Sequence, residues 1–437
     1  MNPAMTLRQR LALASYVAAF RLLLPAMLLR YWLRGRKEPG YRVAMGERLG
    51  FGPALAPGAV WVHAVSLGET RACGALIEAL RARLPGMRLL LTHGTATGRD
   101  AGRALLREGD AQSWLPLDTP GAVRRFLART RPAIGVLMET EIWPQLLHGA
   151  QQAGVTMVLA NARLSERSAR RGERFAALLR PAAATVAEVL AQTADDAQRL
   201  RQAGARSVAV SGNLKFDVQP APELLARGRR WREAIGRPVV LAAITREGEE
   251  ALLLQEWAKV LGRIPFLVVV PRHPQRFDEV ELLLANAGLR VARRSSWGEM
   301  PGPAQLDVDA WLGDSLGEMP QYYASADVAL LGGSFMALGG HNLIGAAACA
   351  CPIVAGPSTF NFAEAAIQAV AAGAAWQEPD MAHALRRALE LVAAPEQQTL
   401  AGARALAFAA QHRGAAARMA ARIAQLLPGL PTSPAAR

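Results

Sequence analysis

Three acids and one lysine are placed where a chain of this kind can do proton chemistry. Glu69 closes HAVSLGE, in which an apolar run gives way to a turn at Gly68 and then to a helix. A carboxylate at that point can serve as a general base, or can simply complement the dipole of the helix it opens. METEIWP puts Glu139 and Glu141 directly after another apolar run. Acids buried at a strand end without use are costly, so a functional role for at least one of them is the expectation. GNLKFD carries Lys215. Lysine occurs only at 37, 215 and 259, against 47 arginines, which makes the point charge at 215 stand out. A plain ion pair with Asp217 is the alternative for it. THGTATG, over 92–98, offers small hydroxyl and glycine residues as a weak anion cradle.

A second set of residues suits anion binding. VPRHP places Pro271 and Arg272 after an apolar run, and a guanidinium there fits a phosphate or carboxylate. GDSLGE brings Leu316, Gly317 and Glu318 to a helix start, and GGS (332–334) and GGHN (339–342) form a glycine-rich loop ahead of another helix. Their convergence on strand ends describes a nucleotide phosphate site. Asp307 and Asp309 have an Asp-x-Asp spacing that could hold a cation. They precede a short apolar run, which is the wrong end of a strand, and read as a solvated turn. No His/Cys cluster has zinc spacing. No metal or other cofactor is expected.

The elements that must carry these residues are visible as alternation. Apolar runs at 60–65, 88–92, 133–138, 155–160, 185–191 and 207–210 are separated by helical stretches such as 69–84, 120–130 and 195–203. The pattern restarts at 239–243, 266–270, 289–292, 310–312, 328–331 and 352–355. Apolar strands without polar alternation, separated by helices, predict parallel sheets covered on both faces. The Pro-rich stretch 217–223 reads as a linker. The expected architecture is α/β: two Rossmann-like, doubly wound domains at 36–217 and 218–400, facing across a cleft. Segment 1–35 precedes them, and a C-terminal helical stretch, 401–437, could cross back to the first. Ligands of such sheets bind beyond the carboxyl ends of the strands.

The 437 residues carry 50 basic and 36 acidic side chains, a net +14, and half of that excess lies in the first fifty residues. There it adjoins LALASYVAAFRLLLPAMLLRYWL (11–33), which Arg21 and Pro25 interrupt and which no small-residue cleavage site follows. The expectation is a helix lying in or dipping into an anionic membrane surface from the cytoplasmic side, with a single span and a helix packed on the protein's own core as the alternatives. Nucleic acid is not expected as a partner, because the body lacks an aromatic–basic stripe. Three cysteines form no disulfide framework.

HAVSLGE, METEIWP, NARLSERS, GNLKFD, REGEE, VPRHPQRF, GDSLGE, and GGHN followed by GPSTFNF resemble, in order from about 30 to 420, the Kdo transferases. These GT-B enzymes attach 3-deoxy-D-manno-octulosonic acid (Kdo) to lipid A precursors, using CMP-Kdo, at the cytoplasmic face of the bacterial inner membrane. The resemblance implies Glu69 as general base and Glu139 and Lys215 as stabilisers of the reaction centre. It also implies a CMP site of Pro271, Arg272, Leu316, Gly317, Glu318, Asn342, Leu343, Ile344 and Gly345. The sequence departs from the family at Gly345, where a glutamate is the expected ribose ligand, and at 244–246, where Ile-Thr-Arg replaces Ser-Thr-His. The alternatives are a GT-B transferase for another nucleotide sugar and a membrane-bound, non-catalytic relative.

Overall fold

The structure is a computed structural model that describes residues 5–217, 219–261 and 264–427. The first four residues of the 1–35 segment, Val218 of the linker and the last ten residues of the 401–437 segment lie outside the described residues. The chain forms two compact units. The first comprises 1–217 together with 413–437, and the second 218–412. The return to the first unit thus falls at Arg413 rather than near 401.

The first unit holds β1 (Val60–His63), β2 (Leu89–His93), β3 (Ala111–Trp114), β4 (Ile134–Met138), β5 (Thr156–Ala162), β6 (Glu188–Ala191) and β7 (Val208–Val210). They pair in parallel in the order β3-β2-β1-β4-β5-β6-β7. Every residue of β1, β2 and β4 is buried, as double coverage by helices requires. Gly135 of β4 lets Trp61 and Met157 press on the strand: an added Cβ would stand 2.8 and 2.5 Å from their side chains. The helix Ala415–Gln425 completes this core, with Met419 and Ile423 packed among Cys73, Leu76 and Leu80 of the helix Leu67–Arg83.

The second unit holds β8 (Val239–Thr245), β9 (Phe266–Pro271), β10 (Val291–Arg293), β11 (Ala310–Leu312), β12 (Val328–Leu331), β13 (Ile353–Ala355) and β14 (Ala375–Gln377). Their order is β10-β11-β9-β8-β12-β13-β14, again all parallel. Both sheets reverse direction of winding once, between β1 and β4 and between β8 and β12. The crevice beyond the strand ends at such a reversal is where ligands of open α/β sheets bind.

Strands β3 and β14 have no counterpart among the apolar runs of the sequence. Both lie at sheet edges, where one side needs no partner and polar residues such as Gln112, Ser113 and Gln377 are tolerated.

The N-terminal helix, Leu7–Arg34, runs unbroken through Arg21 and Pro25 and buries none of its residues. Its 28 residues span about 42 Å, and it is long and apolar enough to cross a membrane. Contacts along its length fasten it to the first unit, two of them through tyrosines. Tyr16 Oη donates to the buried Asp118 carboxylate at 2.8 Å. Near its other end, the Arg48 guanidinium is sandwiched between Tyr31 and Trp114, 3.9 and 3.8 Å from the ring centres.

Candidate active site

In the first unit the candidate acids come from the two strands that flank the reversal. Glu69 follows β1, and Glu139 follows β4. Ser66 caps the helix Leu67–Arg83, and Glu69 occupies its first turn. One carboxylate oxygen of Glu69 accepts from Val65 N–H at 2.9 Å, and the other from Ser66 Oγ at 2.9 Å. The side chain is thereby held in one orientation while half-buried. Burial raises its pKa above the ordinary carboxylate value. The bonds from Val65 and Ser66 oppose that rise, and the Glu139 charge adds to it.

Glu139 sits in the left-handed region, φ +58°, with its N–H donating to Ala160 O at 3.0 Å. A non-glycine residue in that region carries backbone strain, which the flanking strands must hold. Glu141 accepts from Trp143 Nε1 at 2.6 Å. Burial pushes its carboxyl up to about 7. The Trp143 bond works against that, and the Glu69 and Glu139 charges work with it. Three carboxylates therefore share one electrostatic neighbourhood.

Lys215 lies on the short turn Leu214–Phe216, which packs on the Glu69 helix through buried Leu214. Leu214 N–H donates to Asn161 Oδ1 at 3.1 Å, and Asn213 Nδ2 donates to Gln192 Oε1 at 2.9 Å. The turn is thus fixed to the ends of β5 and β6. The Asp217 carboxylate accepts from Gly414 and Ala416 N–H, and so caps the start of Ala415–Gln425. The hydroxyls of Thr92 and Thr95 serve the fold. Thr92 Oγ1 accepts from Trp61 Nε1 at 2.8 Å, and Thr95 caps the helix Ala96–Gly102.

In the second unit, Pro271 ends β9 and the exposed Arg272 follows it, its N–H donating to Thr245 O at 2.9 Å. Arg246, Arg272, His273 and His341 act electrostatically on one another. Burial, with Arg272 and Arg246 adding, depresses the His341 pKa to about 4. This cluster, at the ends of β8 and β9 and in the loop after β12, suits an anion. Leu316 and Gly317 are exposed, Gly317 with φ +85°. Glu318 is tied to Arg294 Nη2 at 2.9 Å. Asn342 Oδ1 accepts from Ile344 N–H at 3.0 Å, and Gly345 is exposed. Leu343 and Ile344 are core residues, 1 % and 2 % exposed, so only their main chain can meet a ligand.

The glycine-rich loop is not the open cradle that its composition suggests. Glu249, 1 % exposed, accepts from Gly333 N–H at 2.7 Å, Phe335 N–H at 3.0 Å and Arg246 N–H at 2.9 Å. Ser358 Oγ takes the Gly339 N–H and Gly333 O takes that of Gly340. An internal carboxylate occupies donors that a phosphate would otherwise use. Asp307 and Asp309 pair with Arg290 ahead of β11. Among the described residues no group of three His, Cys, Asp or Glu side chains is placed to hold a metal ion.

The sequence motifs include Glu249, His273 and His341 without giving any of them a role, and leave Glu141 unassigned. Their signals were present: the doubled acid in REGEE, the histidines of VPRHP and GGHN, and an indole two residues beyond Glu141.

Residues 44–218 match the family described as 3-deoxy-D-manno-octulosonic-acid transferase (kdotransferase). The chain is 47 % identical over 418 residues to the 3-deoxy-D-manno-octulosonic acid transferase of Bordetella pertussis, covering 92 % of this chain and 96 % of that one. It belongs to the Kdo transferase family. A Haemophilus influenzae transferase of the same name is 32 % identical over 416 residues, with the same coverage of both chains. A glycosyltransferase structure from Rickettsia africae aligns with a TM-score of 0.58 at 12 % identity, over 86 % of this chain and all of that one. That likeness speaks to fold alone, and the two doubly wound sheets of this Kdo transferase are of GT-B type.

Proposed function

We propose that this Kdo transferase moves Kdo from CMP-Kdo to a lipid A precursor in lipopolysaccharide inner-core synthesis, at the cytoplasmic face of the inner membrane and with inversion. Glu69 takes the proton from the acceptor hydroxyl as that oxygen attacks the anomeric carbon of Kdo. The anomeric C–O bond breaks, and CMP leaves with its electron pair. General-base help of this kind contributes roughly 10²–10⁴-fold. Glu139 faces the positive charge that develops on the sugar. Lys215 pairs with the Kdo carboxylate or the departing phosphate. In the second unit, Arg272 and its basic neighbours take the phosphate of CMP, with Pro271, Leu316, Gly317, Glu318 and 342–345 around the nucleoside.

The observation that carries the reading is the Glu69 carboxylate. It is fixed by two hydrogen bonds and half-buried, with its pKa raised by burial beside a second acid. A base tuned upward in this way accepts a proton more readily near neutral pH. Membrane attachment rests on the N-terminal helix, with exposed Leu22, Leu23 and Leu29 and the basic run that follows. Because Tyr16 and Tyr31 both grip the first unit, the reading favours a helix lying in the leaflet over one standing across it.

The test is incubation of the detergent-extracted protein with CMP-Kdo and lipid A precursor, followed by mass analysis of the lipid. One or more Kdo additions are expected, falling at least 10²-fold in Glu69→Gln while the melting profile is kept. Near wild-type turnover in that variant removes the base assignment. Protection against heating by UDP but not by CMP would favour a different nucleotide sugar, the reading that Gly345 keeps in view.

A further inference from the structure

The first unit contains a cleft of about 610 Å³ that the proton chemistry does not use. Its walls are mostly apolar, with Ile142, Leu159, Leu164, Leu179, Val186 and Val189 among the lining residues. Thr140 and Ile142, the residues on either side of Glu141, belong to its lining. Its outer wall is built from the helices Glu166–Glu173 and Ala176–Ala183. The first of these buries none of its own residues. The second packs on the N-terminal helix Leu7–Arg34. The cleft therefore adjoins the turn that holds Glu139 and Glu141, and one of its wall helices touches the helix assigned to the membrane.

Arg170 and Arg180 line the cleft, and Arg163, Arg167, Arg171 and Arg174 lie exposed in the same stretch, whose acids are Glu166 and Glu173. The pairs these acids make, with Arg170 at 3.5 Å and Arg180 at 3.1 Å, are solvent-exposed and weak. The surplus guanidiniums suit phosphates that stand just above an apolar slot.

We infer that this cleft takes one fatty acyl chain of the phosphorylated glycolipid acceptor, with the 163–180 arginines on its phosphates, so that the acceptor sugar is delivered to the Glu69–Glu139–Glu141 loop side. The inference rests on the acceptor being a lipid, as proposed above. Each methylene buried in the cleft is worth roughly fourfold in affinity. A chain anchored there also restricts the sugar to one approach.

The full chain in detergent is given two acceptors, the acylated lipid and its fully deacylated, water-soluble counterpart. Ala169→Trp and Ala176→Trp fill the cleft from its outer wall. The expected result is that the kcat/KM ratio, acylated over deacylated, falls at least tenfold in each variant. In parallel, an acceptor with a diazirine on one acyl chain is photolysed with the wild-type protein. Label is expected within 140–205, competed by unlabelled acceptor and not by phosphatidylglycerol.

A ratio that stays at the wild-type value in well-folded variants overturns the inference. So does label confined to Leu7–Arg34, or label that phosphatidylglycerol competes equally, since the cleft would then hold any membrane lipid. Should both variants lose their melting transition, the photolabel alone decides. A wild-type protein that transfers Kdo to neither acceptor contradicts the functional reading itself. Transfer with the label elsewhere contradicts only the cleft.

Discussion

Glu141 is two residues beyond Glu139, and burial holds it protonated up to about pH 7. In the unfolded chain the same group titrates near 4.5. Between those values the folded protein binds the extra proton, so this group's contribution favours folding at low pH and is lost as pH rises through about 7. The cost at pH 8 is at most about 3 kcal/mol. Glu141→Gln keeps an acceptor for Trp143 Nε1 and has no charge to desolvate. It should raise the denaturation midpoint of the first unit at pH 8 and leave it close to wild type at pH 5; equal effects at both pH values would mean that Glu141 is not buried when ionised. Gly345 offers a second test at this scale. Its position is exposed, and an added Cβ meets only Tyr323 Cε2 at 3.8 Å, an ordinary contact. Gly345→Glu should tighten CMP binding about tenfold in calorimetric titration, the worth of one hydrogen bond to a charged acceptor. Unchanged affinity would show that another group already holds the ribose. Both residues were legible as letters in motifs. That Glu141 stays half-buried against an indole was not, because burial depends on how the METEIWP turn folds back beneath its neighbours.

At the scale of elements, strands and turns divide by whether their own residues specify them. The central strands β1, β4, β8 and β12 are unbroken apolar runs, and the helices Leu67–Arg83, Pro120–Thr130 and Ala194–Gln202 show as stretches between such runs. Edge strands β3 and β14 are made by pairing with a neighbour, and three or four mixed residues announce nothing. The glycine-rich loop after β12 is the sharper case. Its composition suggests free N–H groups, yet Glu249, some 85 residues earlier, consumes two of them. The adjoining Ile244 is a β-branched residue at φ +59°, and a Cβ at Gly332 would sit 2.3 Å from its carbonyl oxygen. Such close backbone approach needs the clamp that Glu249 supplies. Glu249→Ala leaves three main-chain donors, one buried and two part-buried, without an acceptor. A loss of about 3 kcal/mol or more from the second unit is expected in urea denaturation, with CMP affinity reduced at least tenfold. Wild-type CMP binding by a destabilised Glu249→Ala would show that the loop's shape is irrelevant to the nucleotide.

For the whole molecule, the two units differ in how the chain supplies them. The second is one continuous stretch, 218–412, with its own sheet and core. The first is assembled from 1–217 and a return segment beginning at Arg413. An Ala/Leu/Arg-rich composition marked the C-terminal stretch as helix. It did not mark which part belongs to which unit, since Pro395–Gln411 and Ala415–Gln425 are alike in composition and separated by a short turn at Gly414. The distinction lies in partners. Phe408 and Ala409 belong to the second unit, whereas Met419 and Ile423 are fully buried against the helix that opens with Glu69. Asp217 ties the two ends of the first unit together by capping the return helix. Removing 413–437 therefore exposes one face of the Leu67–Arg83 helix and leaves Asp217 without its N–H partners. Burial of Met419 and Ile423 alone contributes on the order of 4 kcal/mol, enough to unfold a unit of ordinary stability once the smaller alanines are added. A chain ending at His412 should show loss of the first unit's transition by calorimetry and no transfer, while its second unit still binds CMP; the isolated 219–412 fragment should bind CMP with the same affinity. If the truncated chain keeps both transitions, the return helix is an ornament on a first unit that folds from 1–217 alone.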